Sequence, residues 1–245
     1  MAKLYFKYGA MGSSKSAQAL ITQFNYEELG MSVWLIKPSI DTRDGADIVQ
    51  SRIGLKRSAE VITPKQNIIE AYAKAGRHDV IIADEAQFFT PEQIDQLREL
   101  VDAENLPVLC FGLRTDFLTH FFPGARRLME LADSITEIKT VCACGRKATV
   151  NARIDANGRI ITHGDQVFLG GNDSYVAMCH KCWVSKIKEQ EKWQKQCSTL
   201  GQKSLQKMAM QEMRLFLLCK NQLDVPKKKM HVCLLMKCIF LHHNY

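Results

Sequence analysis

Short apolar runs alternate with helix-like stretches over the first 140 or so residues. Leu4–Tyr8, Val33–Lys37, Val80–Ala83 and Val108–Leu113 read as strands. The later runs are nearly continuous in apolar residues, as strands buried on both faces of a parallel sheet are. Between the first two, Ala17, Leu20, Ile21 and Phe24 recur at helical spacing, and Gly30 is placed to stop that helix. The segment "TPEQIDQLRELVD" opens another helix with complete start signals: Thr90 to cap, Pro91 at the first helical position, and Gln93 to close a capping box. Strand–helix alternation on this scale predicts an α/β fold with a parallel sheet and helices on both faces.

At Cys142 the pattern changes. "RKATVNARI", the turn "DANG", "RIITHGDQVFL" and "GGNDSYVAMC" predict short antiparallel strands in a small second module. From about Lys186 the chain turns Lys/Gln/Met-rich and ends in "PKKKMH" and an apolar run. Leu205, Met208 and Phe216 could share one side of a helix there, without visible chemistry. The expected divisions are therefore residues 1–141, 142–185 and 186–245, with no internal repeats.

The net charge of +7 changes meaning once located. Residues 1–183 hold 21 Lys/Arg against 22 Asp/Glu, whereas 184–245 hold 12 against 4. The body is neutral, so nothing in it suggests a nucleic-acid partner. "VCLLMKCIFL" is interrupted by Lys237 and too short to span a bilayer, so no membrane partner is expected either. Met1-Ala2-Lys3 runs straight into a strand with no leader pattern. The expectation is a cytoplasmic protein whose nine cysteines are thiols or metal ligands rather than disulfides.

Two segments carry chemistry. "GAMGSSKS" (Gly9, Ala10, Met11, Gly12, Ser13, Ser14, Lys15, Ser16) fits G-x-x-x-x-G-K-[ST] except that Ser14 replaces the second glycine. It lies between a strand and a helix, where such a loop wraps phosphates in backbone N–H groups. A side chain at Ser14 is strained if that backbone takes positive φ. The alternative is an ordinary strand-to-helix turn. "DVIIADEAQFF" sets Asp84 and Glu85 at the end of a buried strand. Asp84 fits a magnesium-binding carboxylate together with Ser16, and Glu85 fits a general base. Loop and acidic pair together predict a nucleotide-dependent enzyme. Asp84-Glu85-Ala86-Gln87 also suits a nucleic-acid-stimulated ATPase, which needs two such cores, and a non-catalytic nucleotide sensor is the other alternative.

Across about residues 1–183 the sequence resembles the type II thymidine kinases, a phosphate-loop and zinc-containing family. "YGAMGSSKS", "IDTRDG", "SRIGL", "DEAQFF", "FGLRTDF", the cysteine pairs and "LGGNDSYVAMC" carry the resemblance. It implies a RecA-like core, a lasso module and transfer of the ATP γ-phosphate to the 5′-hydroxyl of thymidine, with Glu85 as the base. It also places Asp41, Arg43, Asp84 and Gln87 with the phosphate loop around ATP. Phe88, Phe117 and Tyr175 would surround the nucleoside, with Met11 and Leu113 near the thymine methyl. A lasso loop of Gln166, Val167, Phe168, Leu169 and Gly170 would read the base. On residue type alone, core packing is the preferred reading for Phe88, Phe117, Met11 and Leu113. Position 151 is Asn, where some members put a small residue near the methyl. A homotetramer with feedback by the end-product triphosphate is implied as well.

Cys142 and Cys144 (C-x-C) and Cys179 and Cys182 (C-x-x-C) read as a structural Zn²⁺ site. His180 is a substitute ligand to consider, and four unbound thiols are the alternative.

Overall fold

A computed structural model describes residues 1–42, 45–167, 174–196 and 210–211. The chain divides into two compact units, Met1–Lys188 and Glu189–Tyr245. Everything below concerns the first.

The first unit is built on β1 (Leu4–Tyr8), β2 (Val33–Pro38), β5 (Glu60–Ile62), β6 (Val80–Ala83), β7 (Val108–Gly112) and β8 (Ser134–Glu137). They form one sheet in the order β5-β2-β6-β7-β1-β8, and every pair in it is parallel. A hairpin of β3 (Ile48–Gln50) and β4 (Lys56–Ser58) stands apart from it.

Side chains alternate between the two faces of the sheet, as strand geometry requires. Ile81 and Ala83 of β6 join one apolar cluster, while Val80 and Ile82 join the other. The first cluster is covered by α2 (Ile68–Ala75), α3 (Pro91–Ala103) and α4 (Pro123–Leu131), through Ile68, Ile94, Leu97 and Leu128. The second is covered by α1 (Lys15–Glu28), through Ala19 and Leu20. Helices on both faces of a parallel sheet make this the expected RecA-like α/β core.

The strong signals of the sequence reappear as structure. Thr90 Oγ1 accepts the Gln93 amide at 3.2 Å, and Gln93 Oε1 accepts the Thr90 amide at 3.1 Å. The same Gln93 also donates to the carbonyls of Thr63 and Gln66, tying α3 to the approach to α2. Gly30 follows α1 with φ +74, the left-handed bend that ends a helix.

One helix face differs from expectation. Ala17 and Leu20 are buried, but Ile21 and Phe24 are 46% and 48% exposed, and Ala19 and Gln23 take the inward positions. The turn before α1 accounts for the rotation: Lys15 is buried at the helix start and points back at the loop, which fixes the direction of every later side chain.

Past residue 141, β9 (Val150–Arg153) and β10 (Tyr175–Met178) pair antiparallel. A bridge between Ile154 and Ile160 closes the "DANG" turn, where Gly158 sits at φ +72. The run from Arg159 to Val167 does not continue as a strand, because its pairing ends with the Arg159 carbonyl and the Ile161 amide, on either side of the Ile160 bridge. Cys142, Ala148, Ala152, Ile160, Met178 and Cys179 form a small core of their own, with Trp183 and Ile187 packed against it.

Candidate active site

Because the sheet is parallel, β1, β6 and β7 all end at the same edge, and β7 lies between the other two. The loop after β1 and the acidic pair after β6 therefore flank the exit of β7. Crevices at this edge are where open α/β sheets bind ligands.

The phosphate loop is tightly wound. The Gly9 amide donates to the Gly112 carbonyl at 3.2 Å, and the Ser13 amide to that of Ala10 at 3.2 Å. A Cβ on Gly9 would come within 2.4 Å of both the Ile138 carbonyl oxygen and Ser13 Oγ, so only glycine fits. Gly12 has φ +76. Ser14, in place of the motif's second glycine, has φ 61 and ψ 31 and makes no side-chain cap bond. The strain anticipated for a side chain at this position is present. Lys15 Nζ donates to the carbonyls of Gly9 and Ala10, each at 3.1 Å, which anchors the ammonium against the loop's first limb.

The acidic pair meets this loop. The Ser16 side chain and the Lys15 charge both lie close enough to the Asp84 carboxylate to lower its affinity for a proton. Burial, with the neighbouring Glu85 charge second, nevertheless pushes the Asp84 carboxyl up to about 7. Asp84 Oδ1 is buried without a hydrogen-bond partner. A buried carboxylate oxygen left unpaired beside a hydroxyl is a donor set that suits Mg²⁺, a cation that takes oxygen ligands.

Glu85 is held in a left-handed conformation, φ 49 and ψ 36, at the start of a single 3₁₀ turn, Ala86–Phe88. Strain at a non-glycine residue next to a binding loop is a common mark of functional sites. Its Oε2 accepts from Gln87 Nε2 at 2.6 Å, and Gln87 Oε1 accepts the Leu113 amide at 2.8 Å. Gln87 is fully buried, and its amide is committed within the protein as a strut from Glu85 to the exit of β7. Gly112 makes room for that strut: a Cβ there would lie 2.5 Å from Gln87 Oε1. Sequence reasoning had no role for Gly112, and the only signal was a glycine closing an otherwise apolar strand.

Asp41 is buried and pairs with the equally buried Lys37 at 3.3 Å. Lys37 Nζ also donates to the carbonyls of Gly45 and Ile48, so this pair ties the end of β2 to Gly45 and to the start of β3. Arg43 lies outside the described residues, as do Phe168, Leu169 and Gly170.

The aromatic candidates gather around the exit of β7 and the cysteine module. Phe88 is half-buried and meets Phe122 edge-on at 5.4 Å. Phe117 is buried beneath the guanidinium of Arg153, 3.8 Å above its ring. The Tyr175 hydroxyl accepts from Arg153 Nε at 3.0 Å. Met11 is half-buried, and its amide donates to Asn151 Oδ1. Leu113 and Val167 pack against the first apolar cluster. Gln166 Nε2 donates to Asp116 Oδ2 at 2.9 Å and to the Phe121 carbonyl at 3.2 Å, so its side chain fastens the lasso root to the loop after β7. Arg153 and Asp116 were missed by sequence reasoning, and Asn151 was noted only for its place near the methyl. A polar residue at every second position of "VNAR" was the available signal for Arg153.

The sulfurs of Cys142, Cys144, Cys179 and Cys182 all lie within 4.8 Å of one another. Four sulfurs tetrahedrally placed around zinc, with bonds of about 2.3 Å, stand about 3.8 Å apart, so the cluster fits that ion. Amide N–H groups of Cys144 and Cys179 lower the Cys142 thiol to about 6, which favours the thiolate a metal needs. Cys182 is instead pushed up to about 12, chiefly by its hydrogen bond with the Cys144 sulfur. His180 is exposed and stacks toward Trp183, and the metal-ligating cluster among the described residues consists of the four cysteines alone.

Comparison with known proteins converges on one description. The family model for thymidine kinase matches residues 2–183. A thymidine kinase of Legionella pneumophila (strain Lens) is 47% identical over 183 residues, which cover 73% of this chain and 88% of the relative. One from Ruegeria pomeroyi is 46% identical over 186 residues, covering 75% and 94%. The thymidine kinase of Enterobacteria phage T4 is 45% identical over 192 residues, covering 77% and 99%.

Proposed function

The chain belongs to the thymidine kinase family, and we propose that it transfers the γ-phosphoryl group of ATP to the 5′-hydroxyl of thymidine, giving thymidylate and ADP. The observation that carries this reading is that Ser16 and Lys15 of the loop stand near enough to the buried Asp84 carboxylate to act on its proton. The loop's hydroxyl, an unpaired buried carboxylate oxygen and the Glu85 carboxylate thus share one edge of the sheet.

In this reading Gly9–Ser16 wraps the triphosphate, Lys15 supplies charge at its terminal oxygens, and Ser16 and Asp84 hold Mg²⁺. Magnesium, when bound, draws charge from the transferring group. By the family likeness Asp41 and Arg43 lie near the phosphates, with Arg43 stabilising charge on the transferring group. Glu85 accepts the proton of the attacking hydroxyl, and Gln87 holds its carboxylate in place. Phosphoryl transfer asks little covalent chemistry of the protein, so positioning and charge neutralisation set the rate.

Phe88, Phe117 and Tyr175 surround the nucleoside. The methyl lies toward Met11 and Leu113, and Gln166–Gly170 reads the base edge through backbone groups. A methyl pocket alone discriminates by only about 1–3 kcal/mol. Zn²⁺ on Cys142, Cys144, Cys179 and Cys182 has four protein ligands and no open position, so it staples the module rather than reacting. A homo-oligomer, a tetramer by family likeness, is supported by the exposed Ile21 and Phe24 on α1. Among the described residues no helix is long and apolar enough to cross a membrane.

The experiment is direct. Purified protein is incubated with γ-labelled ATP, Mg²⁺ and a panel of nucleosides, and products are separated by charge. Labelled thymidylate, with little label on cytidine or purine nucleosides, is expected. ATP consumption that requires single-stranded nucleic acid and ignores thymidine would overturn the assignment.

A further inference from the structure

Strand β9 carries two buried polar side chains, Asn151 at 3% exposure and Arg153 at 5%, in alternate positions. Alternation puts them on one face of the strand. The other face is spoken for, since Ala152 packs into the cysteine core.

Each of the two ends on a different loop. Asn151 Oδ1 accepts the Met11 amide of the phosphate loop at 2.7 Å, while its Nδ2 donates to the Thr115 carbonyl, beyond β7, at 3.0 Å. Exchanging oxygen and nitrogen would set donor against donor and acceptor against acceptor, so one amide orientation is fixed. Arg153 Nη1 and Nη2 donate to the carbonyls of Asp165 and Gln166 at 3.0 and 3.4 Å, at the root of the lasso. Its Nε donates to Tyr175, and its guanidinium covers Phe117. Three consecutive residues of one paired strand therefore join the phosphate loop to the root of the lasso.

We infer that Asn151 and Arg153 are positioning residues that make the binding of triphosphate and of nucleoside reinforce each other. Ordering the lasso root around a nucleoside fixes Arg153 and β9. Through Asn151 that fixes the Met11 amide and the first limb of the phosphate loop, and linkage makes the effect reciprocal. The inference rests on the assignment of these two loops to ATP and thymidine made above. Asn151 acts on the phosphate loop through the Met11 amide, at a position the family likeness sets near the thymine methyl. A leucine there would fill similar space but leave Met11 without its acceptor.

Isothermal titration of thymidine, with and without a non-hydrolysable ATP analogue and Mg²⁺, tests this. Couplings between sites usually amount to about 5- to 150-fold. Wild-type protein should bind thymidine at least about fivefold more tightly when the analogue is present. In Asn151→Leu that gain should shrink to within about twofold, whatever the affinity for each ligand alone. Zinc content and melting temperature report whether the variant is folded. Asn151→Ser, too short to reach Met11, serves the same purpose if the leucine variant does not fold. Equal coupling in wild type and variant overturns the inference. So does a variant that weakens both ligands alone and leaves their coupling intact, which is what a merely structural role would give. Wild-type protein that binds both ligands without coupling overturns this inference alone, whereas failure to bind thymidine at all overturns the functional assignment with it.

Discussion

Replacing Ser14 with glycine isolates the strain in the phosphate loop. Ser14 is exposed, makes no side-chain cap bond, and contributes to α1 only through its carbonyl, which accepts the Gln18 amide at 3.0 Å. Ser14→Gly therefore removes a Cβ from a left-handed backbone and little else. Relief of that conformation is worth about 1–2 kcal/mol. The greater freedom of glycine in the unfolded chain takes back about 0.4–1 kcal/mol. At the centre of these ranges the net is a stabilisation of about 0.8 kcal/mol, or about 2–3 °C in melting temperature for a unit of this size. Gln18→Gly is the matched control: also exposed, but within α1 at helical backbone angles, it should lose about 1 kcal/mol. Calorimetry on both variants, without nucleotide, reads the two signs. A Ser14→Gly protein that melts as low as Gln18→Gly would refute the left-handed assignment at position 14.

Further predictions concern the acidic pair, the strut and the zinc cluster. Gly112→Ala pushes a Cβ to 2.5 Å from Gln87 Oε1, so the strut to Glu85 must shift. Turnover should fall at least about tenfold, at a barrier cost of about 1.4 kcal/mol, with ADP binding little changed; unchanged turnover would remove the strut from the mechanism. Because the Asp84 carboxyl is raised to about 7, the ligand-free fold holds its proton where the unfolded chain, near 3.8, does not. Stability from this group is therefore greatest below about pH 4 and is lost as pH rises toward 7. Mg²⁺–ADP affinity should show the converse, rising between pH 6 and 8, and Asp84→Asn should flatten that rise in titration calorimetry. Metal analysis should find one zinc per chain. Cys179→Ser or strong chelation should release the ion and abolish thymidine binding while leaving ADP binding measurable; retained thymidine binding after zinc loss would contradict the staple role.

What could be read in advance depended on whether the causes were local. Thr90, Pro91 and Gln93 specify a helix start within four residues, and the capping box forms as their types demand. Buried central strands announce themselves by continuous apolar runs, and β1 and β6 fall where those runs lie. Edge strand β8 does not, because two of its four residues face solvent, and β5 is only three residues long. The inward face of α1 was misjudged because the loop before it sets the helix rotation. Lys15, Ser16, Asp84 and Glu85 were legible as types at a spacing. Gln87 as a strut, Gly112 as its clearance, and Asn151 and Arg153 as links are products of packing between distant segments, which no window along the chain displays.

The proposed role of Glu85 is to take the proton from the attacking hydroxyl. Single-turnover transfer from labelled ATP to thymidine in Glu85→Gln tests it most directly, with nucleotide and thymidine affinities measured on the same preparation. The account predicts transfer slowed by about 10²- to 10⁴-fold while both affinities stay near wild type. Transfer within a few-fold of wild type would contradict it.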